Sequence, residues 1–144
     1  MVQLREINRQ NFWECISLEV SKEQKSFVTS NAVSIAQSKI QNECQILAIY
    51  NKDIIVGFVM YCIDSDDDEY WIYRMMVDKK FQSKGIGDKA LSLLIKKIQR
   101  DKKRDVIYLG VHKESISAVR LYKKHGFEFT GKVYGSEHIM QLRY

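Results

Sequence analysis

The sequence predicts a mixed α/β domain of the α+β type, with a mostly antiparallel central sheet flanked by helices, and three observations carry that prediction. Two β-rich runs, 45–50 and 54–63, are joined by the short polar turn Asn51-Lys52-Asp53, the pattern of an antiparallel hairpin. A third run, Tyr70-Trp71-Ile72-Tyr73-Arg74-Met75-Met76-Val77, passes through a glycine turn into an amphipathic helix and then a buried run at 106–111, which reads as a strand–helix–strand crossover. The chain has 144 residues, 45% hydrophobic and 28% charged, a length and balance that suit one domain, 1–144, with a core of its own.

Each element has its own signal. Residues 2–7 alternate apolar and polar positions, as a short strand does. Phe12, Ile16 and Leu18 begin a helical stretch, and 31–40 reads as a second helix with Ala32, Ile35, Ala36 and Ile40 near helical spacing. The nearly continuous apolar-aromatic run 70–77 predicts a central strand covered on both faces. In the helix that follows, Ile86, Ala90, Leu94 and Ile98 recur every four residues and Leu91 and Ile95 widen the apolar face. Arg100, Lys102, Lys103 and Arg104 fall near its C-terminus, where positive charge complements the helix dipole. Ser115 is placed to cap a last helix bearing Ala118, Leu121, Tyr122 and His125, and Gly126 is its expected stop. The segments 127–134 and 138–144 close the chain as a hairpin around Gly135-Ser136.

Composition excludes several classes. No apolar run approaches the ~18 residues of a membrane span, so no membrane partner is expected. The first residues lack the apolar stretch of a signal peptide, which makes a cytoplasmic protein the expectation. Cys15, Cys44 and Cys62, and His112, His125 and His138, are too dispersed for metal-ligand spacing, and no metal is expected. The formal charge is +5, unevenly spread. Ten Lys or Arg against two acids lie between Lys79 and Arg104, whereas five of the six residues 64–69 are acidic. A basic stretch suits a phosphate-bearing ligand and an acidic one a cation; nucleic acid accounts for the first and not the second.

The turn Gln82-Ser83-Lys84-Gly85-Ile86-Gly87 sits where an anion is best held. Helix-start N–H groups point outward, the helix dipole adds positive charge, and glycines allow close approach. Two glycines alone make a tight turn more often than a binding loop, but placement between a buried strand and a strong helix favours a ligand. The turn is neither a P-loop nor a complete G-x-G-x-x-G.

Gln82–Gly87 resembles the [Q/R]-x-x-G-x-[G/A] acetyl-CoA motif of the GNAT superfamily of N-acetyltransferases at every defined position. Ser115, Ala118, Leu121, Tyr122, Gly126 and Phe127 are similar to the family's N-x-x-A-x-x-L-Y-x-x-x-G-F, departing from it only in serine for asparagine. The resemblance implies a GNAT fold whose sheet splays around acetyl-CoA as co-substrate. It implies backbone contacts from Met75, Met76 and Val77 to the pantetheine arm, and from Ser83, Lys84, Gly85, Ile86, Gly87 and Asp88 to the pyrophosphate. Gln82, Ser115, Ala118 and Tyr122 complete the implied cofactor set. Amine attack on a thioester requires a neutral amine, a polarised carbonyl and a proton for the leaving thiolate. A backbone N–H such as that of Val77 would meet the oxyanion, and Tyr122 would be the general acid. For the base, Glu69 and a water chain both stand.

The segments Leu18-Glu19-Val20-Ser21-Lys22-Glu23-Gln24 and Glu69-Tyr70-Trp71-Ile72-Tyr73-Arg74 look like those of bacterial spermine/spermidine (diamine) acetyltransferases. That resemblance implies a polyamine acceptor, with Glu19, Asp68, Glu69 and Tyr73 as substrate-binding residues. Other amines (a protein N-terminus, an amino acid, an aminoglycoside) and an acyl-CoA-binding protein without activity are the alternatives. Members of the family often dimerise, so a homodimer is left open.

Overall fold

β-Branched and aromatic runs pair into one sheet because each has an apolar face to bury and a ladder of backbone groups to satisfy. The computed structural model describes residues 1–144. Its strands are β1 (Val2–Glu6), β2 (Cys44–Asn51), β3 (Ile54–Ile63), β4 (Tyr70–Val77), β5 (Val106–Val111), β6 (Glu128–Tyr134) and β7 (Glu137–Arg143). The helices are α1 (Phe12–Ser17), α2 (Asn31–Ile40), α3 (Ile86–Ile98) and α4 (Ile116–Lys124), with single 3-10 turns at Lys22–Gln24 and Lys79–Phe81. This is the predicted element order, in a seven-stranded mixed sheet ordered β1-β2-β3-β4-β5-β7-β6. Every neighbouring pair is antiparallel except β4 and β5, which α3 connects in parallel.

The sheet carries a core on each face. On one, Leu91, Leu94, Ile95 and Ile98 of α3 pack with Ile72, Ile107, Leu109 and Phe127. On the other, Cys15, Phe58, Met60, Cys62 and Met76 meet residues of α1 and α2 such as Ile35. No helix is long and apolar enough to cross a membrane.

Three local expectations need correction. The strand covered on both faces is β3, eight of whose ten residues are buried, whereas in β4 only Ile72 and Met76 are. The apolar-aromatic character of β4 serves open cavities as well as core. Ser115 precedes α4, but its hydroxyl caps no N–H; only its carbonyl accepts, from Val119 N at 3.0 Å. α3 ends at Ile98, so Arg100 and Lys102–Arg104 lie beyond it, and Arg104 turns to Asp101 and Asp68, each at 2.9 Å.

Two features open the sheet. Between β3 and β4 the register steps from Met60 opposite Arg74 to Tyr61 opposite Ile72, leaving Tyr73 as the extra residue of a β-bulge. Just there β4 and β5 part, for their pairing covers only Tyr70, Ile72 and the residue between, against 107–109. The bulge bends β4 and turns Tyr73 and Arg74 toward the gap.

Candidate active site

Three cavities meet along that gap. The first, about 350 Å³, lies before α3 and is lined by Met75, Met76, Val77, Gln82, Ser83, Gly85, Ile86, Gly87, Asp88, Ser115 and Ala118 among others. A narrow crevice of about 90 Å³ shares Val28, Met75, Ser115 and Ala118 with it and adds Tyr122, His112 and Glu137. A third cavity of about 460 Å³ shares Tyr73, Arg74, Gly110 and Glu137 with the crevice and extends to Asp64, Asp66, Asp67, Trp71 and Tyr134. The result is a continuous path from the helix start, past Tyr122, to the acidic loop.

At the first cavity the backbone is shaped for an anion. Ser83 and Gly85 have left-handed φ angles of 63° and 80°, and no side chain caps the N–H groups that open α3. Gly85 is required by its φ. Gly87 is not required by the protein's packing, since an added Cβ would meet only Leu121 Cδ2 at 3.6 Å and Val77 Cγ2 at 3.8 Å. Its bareness leaves space in front of the helix, which fits a pyrophosphate. The Gln82 side chain anchors the turn, donating to the Val77 carbonyl and to Gln24 Oε1, both at 2.9 Å. Asp88, an anion beside the proposed cradle, is neutralised by Lys124 at 3.0 Å and hydrogen-bonded to His125 Nε2 at 2.6 Å; those bonds, Lys124's first, hold its pKa below the usual range. The Lys84 ammonium lies 5.9 Å from the Phe81 ring.

In the crevice, Tyr122 packs edge-on against Phe127, with ring centroids 5.8 Å apart. Burial, and then the Glu137 charge, push its phenol up to about 12, so it carries its proton throughout the working pH range. The thiols are poor nucleophiles: burial raises Cys15 to about 11 and Cys62 to about 12. No group of three or more His, Cys, Asp or Glu comes together as a metal site.

The third cavity is acidic and aromatic. Four lining carboxylates, Asp64, Asp66, Asp67 and Glu137, face one guanidinium, that of Arg74. Asp64 accepts from the Tyr73 hydroxyl, and Asp67 from Trp71 Nε1 at 2.8 Å. Burial and the Asp64 bond both push the Tyr73 phenol upward. Trp71 lies 5.2 Å from Tyr108 and 6.2 Å from Tyr134 between ring centroids, giving the cavity a π-rich wall. Arg74 donates to the Tyr73 carbonyl and to Gln37, which draws its charge toward α2.

Of the residues expected to bind or deprotonate an amine, Tyr73 lies on this path, and Glu19 lines a further cavity of about 430 Å³ that shares Val20, Val28 and Met76 with the first. Glu69 sits at the far end of β4, roughly 20 Å of strand from Met75, and lines none of the three cavities. Burial, then Asp105 and Asp67, raise its pKa, but a perturbed carboxyl at the wrong end of a strand is out of reach of Tyr122. Asp68 turns outward to Arg104 at 2.9 Å. Glu19 is held by Lys79 at 2.8 Å and Lys25 at 3.3 Å, and those lysines, Lys79 first, lower its pKa. Sequence reasoning missed Glu137, Trp71 and Tyr134. The available signal was Gly110, a glycine inside an apolar strand, which marks a close approach.

A family model described as the acetyltransferase (GNAT) family matches residues 2–127. The chain belongs to that family. GNAT proteins acetylate amines from acetyl-CoA, so this chain is an N-acetyltransferase with acetyl-CoA as co-substrate. A spermine/spermidine N(1)-acetyltransferase of Bacillus subtilis (strain 168) is 30% identical over 146 residues, covering 96% of each chain. Solved structures share the fold at lower identity. A spermidine N-acetyltransferase from Vibrio cholerae, in complex with CoA and spermine, superposes with a TM-score of 0.76 at 17% identity, covering 99% of this chain and 95% of that one. An aminoglycoside acetyltransferase in complex with coenzyme A gives 0.81 at 16% identity, with the same coverage. Neighbours that differ in acceptor thus share one GNAT scaffold, and the acceptor has to be argued from the cavity.

Proposed function

We propose that this GNAT protein acetylates a terminal primary amine of a polyamine such as spermidine or spermine, by direct transfer from acetyl-CoA. The observation that carries the proposal is the third cavity, which joins the Tyr122 crevice and holds three more carboxylates than guanidinium groups beside an aromatic wall. A polyamine presents several ammonium groups along an apolar chain. Carboxylates attract the charges, and π faces such as Trp71 and Tyr134 stabilise an ammonium by ~0.5–2 kcal/mol each. The Bacillus subtilis relative, aligned over nearly the whole chain, supports the same substrate class.

The roles follow from position. The turn 82–87 and the start of α3 hold the pyrophosphate, with Ser83, Lys84, Gly85, Ile86, Gly87 and Asp88 presenting backbone, while Gln82 keeps the turn in place. Met75, Met76 and Val77 offer the unpaired edge of β4 to the pantetheine arm, and one of its N–H groups meets the developing oxyanion. Ser115 and Ala118 line the way to the crevice. Bound there, acetyl-CoA supplies a thioester carbonyl as electrophile. Tyr122 protonates the departing sulfur. Tyr73, bonded to Asp64, shapes the amine channel.

The test is thiol release from acetyl-CoA with spermidine, spermine, putrescine, an aminoglycoside and N-terminal peptides as separate acceptors. Release with spermidine or spermine at far higher kcat/KM than with the others supports the proposal. Equal or better turnover of a peptide or an aminoglycoside overturns it.

A further inference from the structure

We propose that Glu137 is a catalytic residue whose carboxylate receives the reacting ammonium group where the acceptor cavity meets the crevice, and takes its proton. This rests on the acetyltransferase reading of the site, but not on the acceptor being a polyamine.

Only Tyr73, Arg74, Gly110 and Glu137 line both the acceptor cavity and the crevice. An amine moving from the acceptor cavity to a carbonyl beside Tyr122 passes among these four. Tyr73 spends its hydroxyl on Asp64, Arg74 is a cation, and Gly110 has no side chain. Glu137 is the one proton acceptor left. It opens β7, directly after the Gly135-Ser136 turn, in the hairpin pair Tyr134 and Glu137.

Its carboxylate is free. No hydrogen bond or ion pair within the protein engages it, although Lys132 and His138 are close in sequence. Gly110 accounts for its position: a Cβ there would come 2.9 Å from Glu137 Oε1 and 3.2 Å from its Cβ and Cδ. The φ of Gly110 is not in the left-handed region, so the glycine serves space, not backbone geometry. The carboxylate therefore lies flat over β5, at the point where β4 and β5 have parted. Its charge is also felt at the Tyr122 phenol across the crevice. A proton acceptor and a proton donor thus line the same crevice, the pairing that acid–base catalysis of acyl transfer requires.

The steps balance. The ammonium gives one proton to Glu137, and the freed nitrogen lone pair forms the C–N bond as the carbonyl π electrons move to oxygen. Their return breaks the C–S bond, and the sulfur takes the Tyr122 proton. The phenolate recovers a proton from the acylated nitrogen, and Glu137 releases its own to water through the open cavity, one per turnover.

The test uses Glu137→Gln in the full chain, with whichever amine the wild type acetylates best. Expected is a ~10²-fold fall in kcat, with acetyl-CoA affinity unchanged by calorimetry. The pH–rate profile of the variant should move to the alkaline side, climbing about tenfold per pH unit toward the amine's own pKa near ~10, because solvent then has to take the proton. Glu137→Asp should recover part of the rate, and Gly110→Ala, which displaces the carboxylate while keeping its charge, should lower kcat less than Glu137→Gln does. Wild-type kcat and an unmoved pH profile in Glu137→Gln overturn the proposal. So does a loss confined to His112→Asn, which would give the proton to that ring instead. If spermidine is not turned over and another amine is, the polyamine proposal fails, and the same comparison with that amine still decides the role of Glu137.

Discussion

Tyr122 combines two properties that pull in different directions. Burial keeps its phenol protonated, with a pKa of about 12, yet a phenol that holds its proton so firmly gives it up only as the C–S bond breaks and negative charge gathers on sulfur. Tyr122→Phe should therefore lower kcat by ~10²-fold, about 2.7 kcal/mol of barrier, while leaving acetyl-CoA affinity near that of the wild type. Wild-type turnover in that variant would remove the general-acid role. The pH dependence has a definite sign. For the proposed acid the active form is the protonated one and its pKa is raised, so the phenol stays competent well above the ~10 of a free tyrosine. An alkaline limb in kcat centred at about pH 10 would contradict this. Asp66 makes the complementary case in the acidic loop. Its carboxylate lines the acceptor cavity and is engaged by no partner, whereas Asp64 and Asp67 hold Tyr73 and Trp71. Asp66→Asn should raise KM for spermidine several-fold with kcat little changed, and the difference should shrink as salt screens the pair. An unchanged KM would take Asp66 out of the acceptor site. At this scale the motif was enough to single out Tyr122, which the structure puts on the crevice wall, whereas groups that only a fold could bring together were illegible. Glu137 and Tyr122 are fifteen positions apart on different elements, and a run of acids gives no hint that Asp68 faces Arg104 or that Glu69 is stranded at the wrong end of β4.

The start of α3 joins local backbone geometry to binding. The left-handed residues 83 and 85 fold the turn, the Gln82 amide ties it to Val77, and the bare Cα of Gly87 leaves the ligand face clear. Gly87→Glu adds a side chain and a negative charge to the surface proposed to hold the pyrophosphate, close to Asp88, which Lys124 already neutralises. Acetyl-CoA affinity should fall at least ~10²-fold, while the melting temperature of the free protein shifts little, because a Cβ at this position meets only ordinary van der Waals neighbours. Undiminished affinity would place the pyrophosphate elsewhere. The elements themselves were nearly all legible, because strong periodicity and short polar turns leave few alternatives: 31–40, 54–63, 70–77 and 86–98 fall where the pattern puts them. What the pattern misjudged was burial. The apolar-aromatic run of β4 reads as a core strand, but hydrophobicity says only that a surface avoids water, and a ligand cavity satisfies that as well as a core does. Ser115 erred in a related way: a residue of capping type precedes a helix without capping it, its side chain lining two cavities instead.

Over the whole molecule, the sheet is two antiparallel halves, β1–β4 and β5–β7, joined by a parallel pairing of only three residues. The bulge at Tyr73 and the parting of β4 from β5 create the binding path by giving up ladder hydrogen bonds beyond Ile72. The first cavity draws on both halves, with Met75–Val77 and the α3 turn from one and Ser115, Ala118 and Leu121 of α4 from the other. A ligand lodged there restores contacts across the seam, binds the folded state alone, and stabilises it by about 2.7 kcal/mol at a concentration ~100 times its Kd. For a domain of this size that is a rise in melting temperature of roughly 5–10 °C. Spermidine alone, resting in an open cavity lined mainly by β4, its preceding loop and the β6–β7 hairpin, should raise it far less. The charge distribution points the same way. The chain is net positive, which favours the anionic co-substrate from any direction, while a polycation is attracted only locally, at the acidic mouth. A thermal shift series with CoA, acetyl-CoA and spermidine, on the wild type and on Gly87→Glu, tests this. A large shift with either thioester-bearing or free CoA, lost in Gly87→Glu, is the expected result. A larger shift from spermidine than from CoA would mean that the seam is closed by the acceptor.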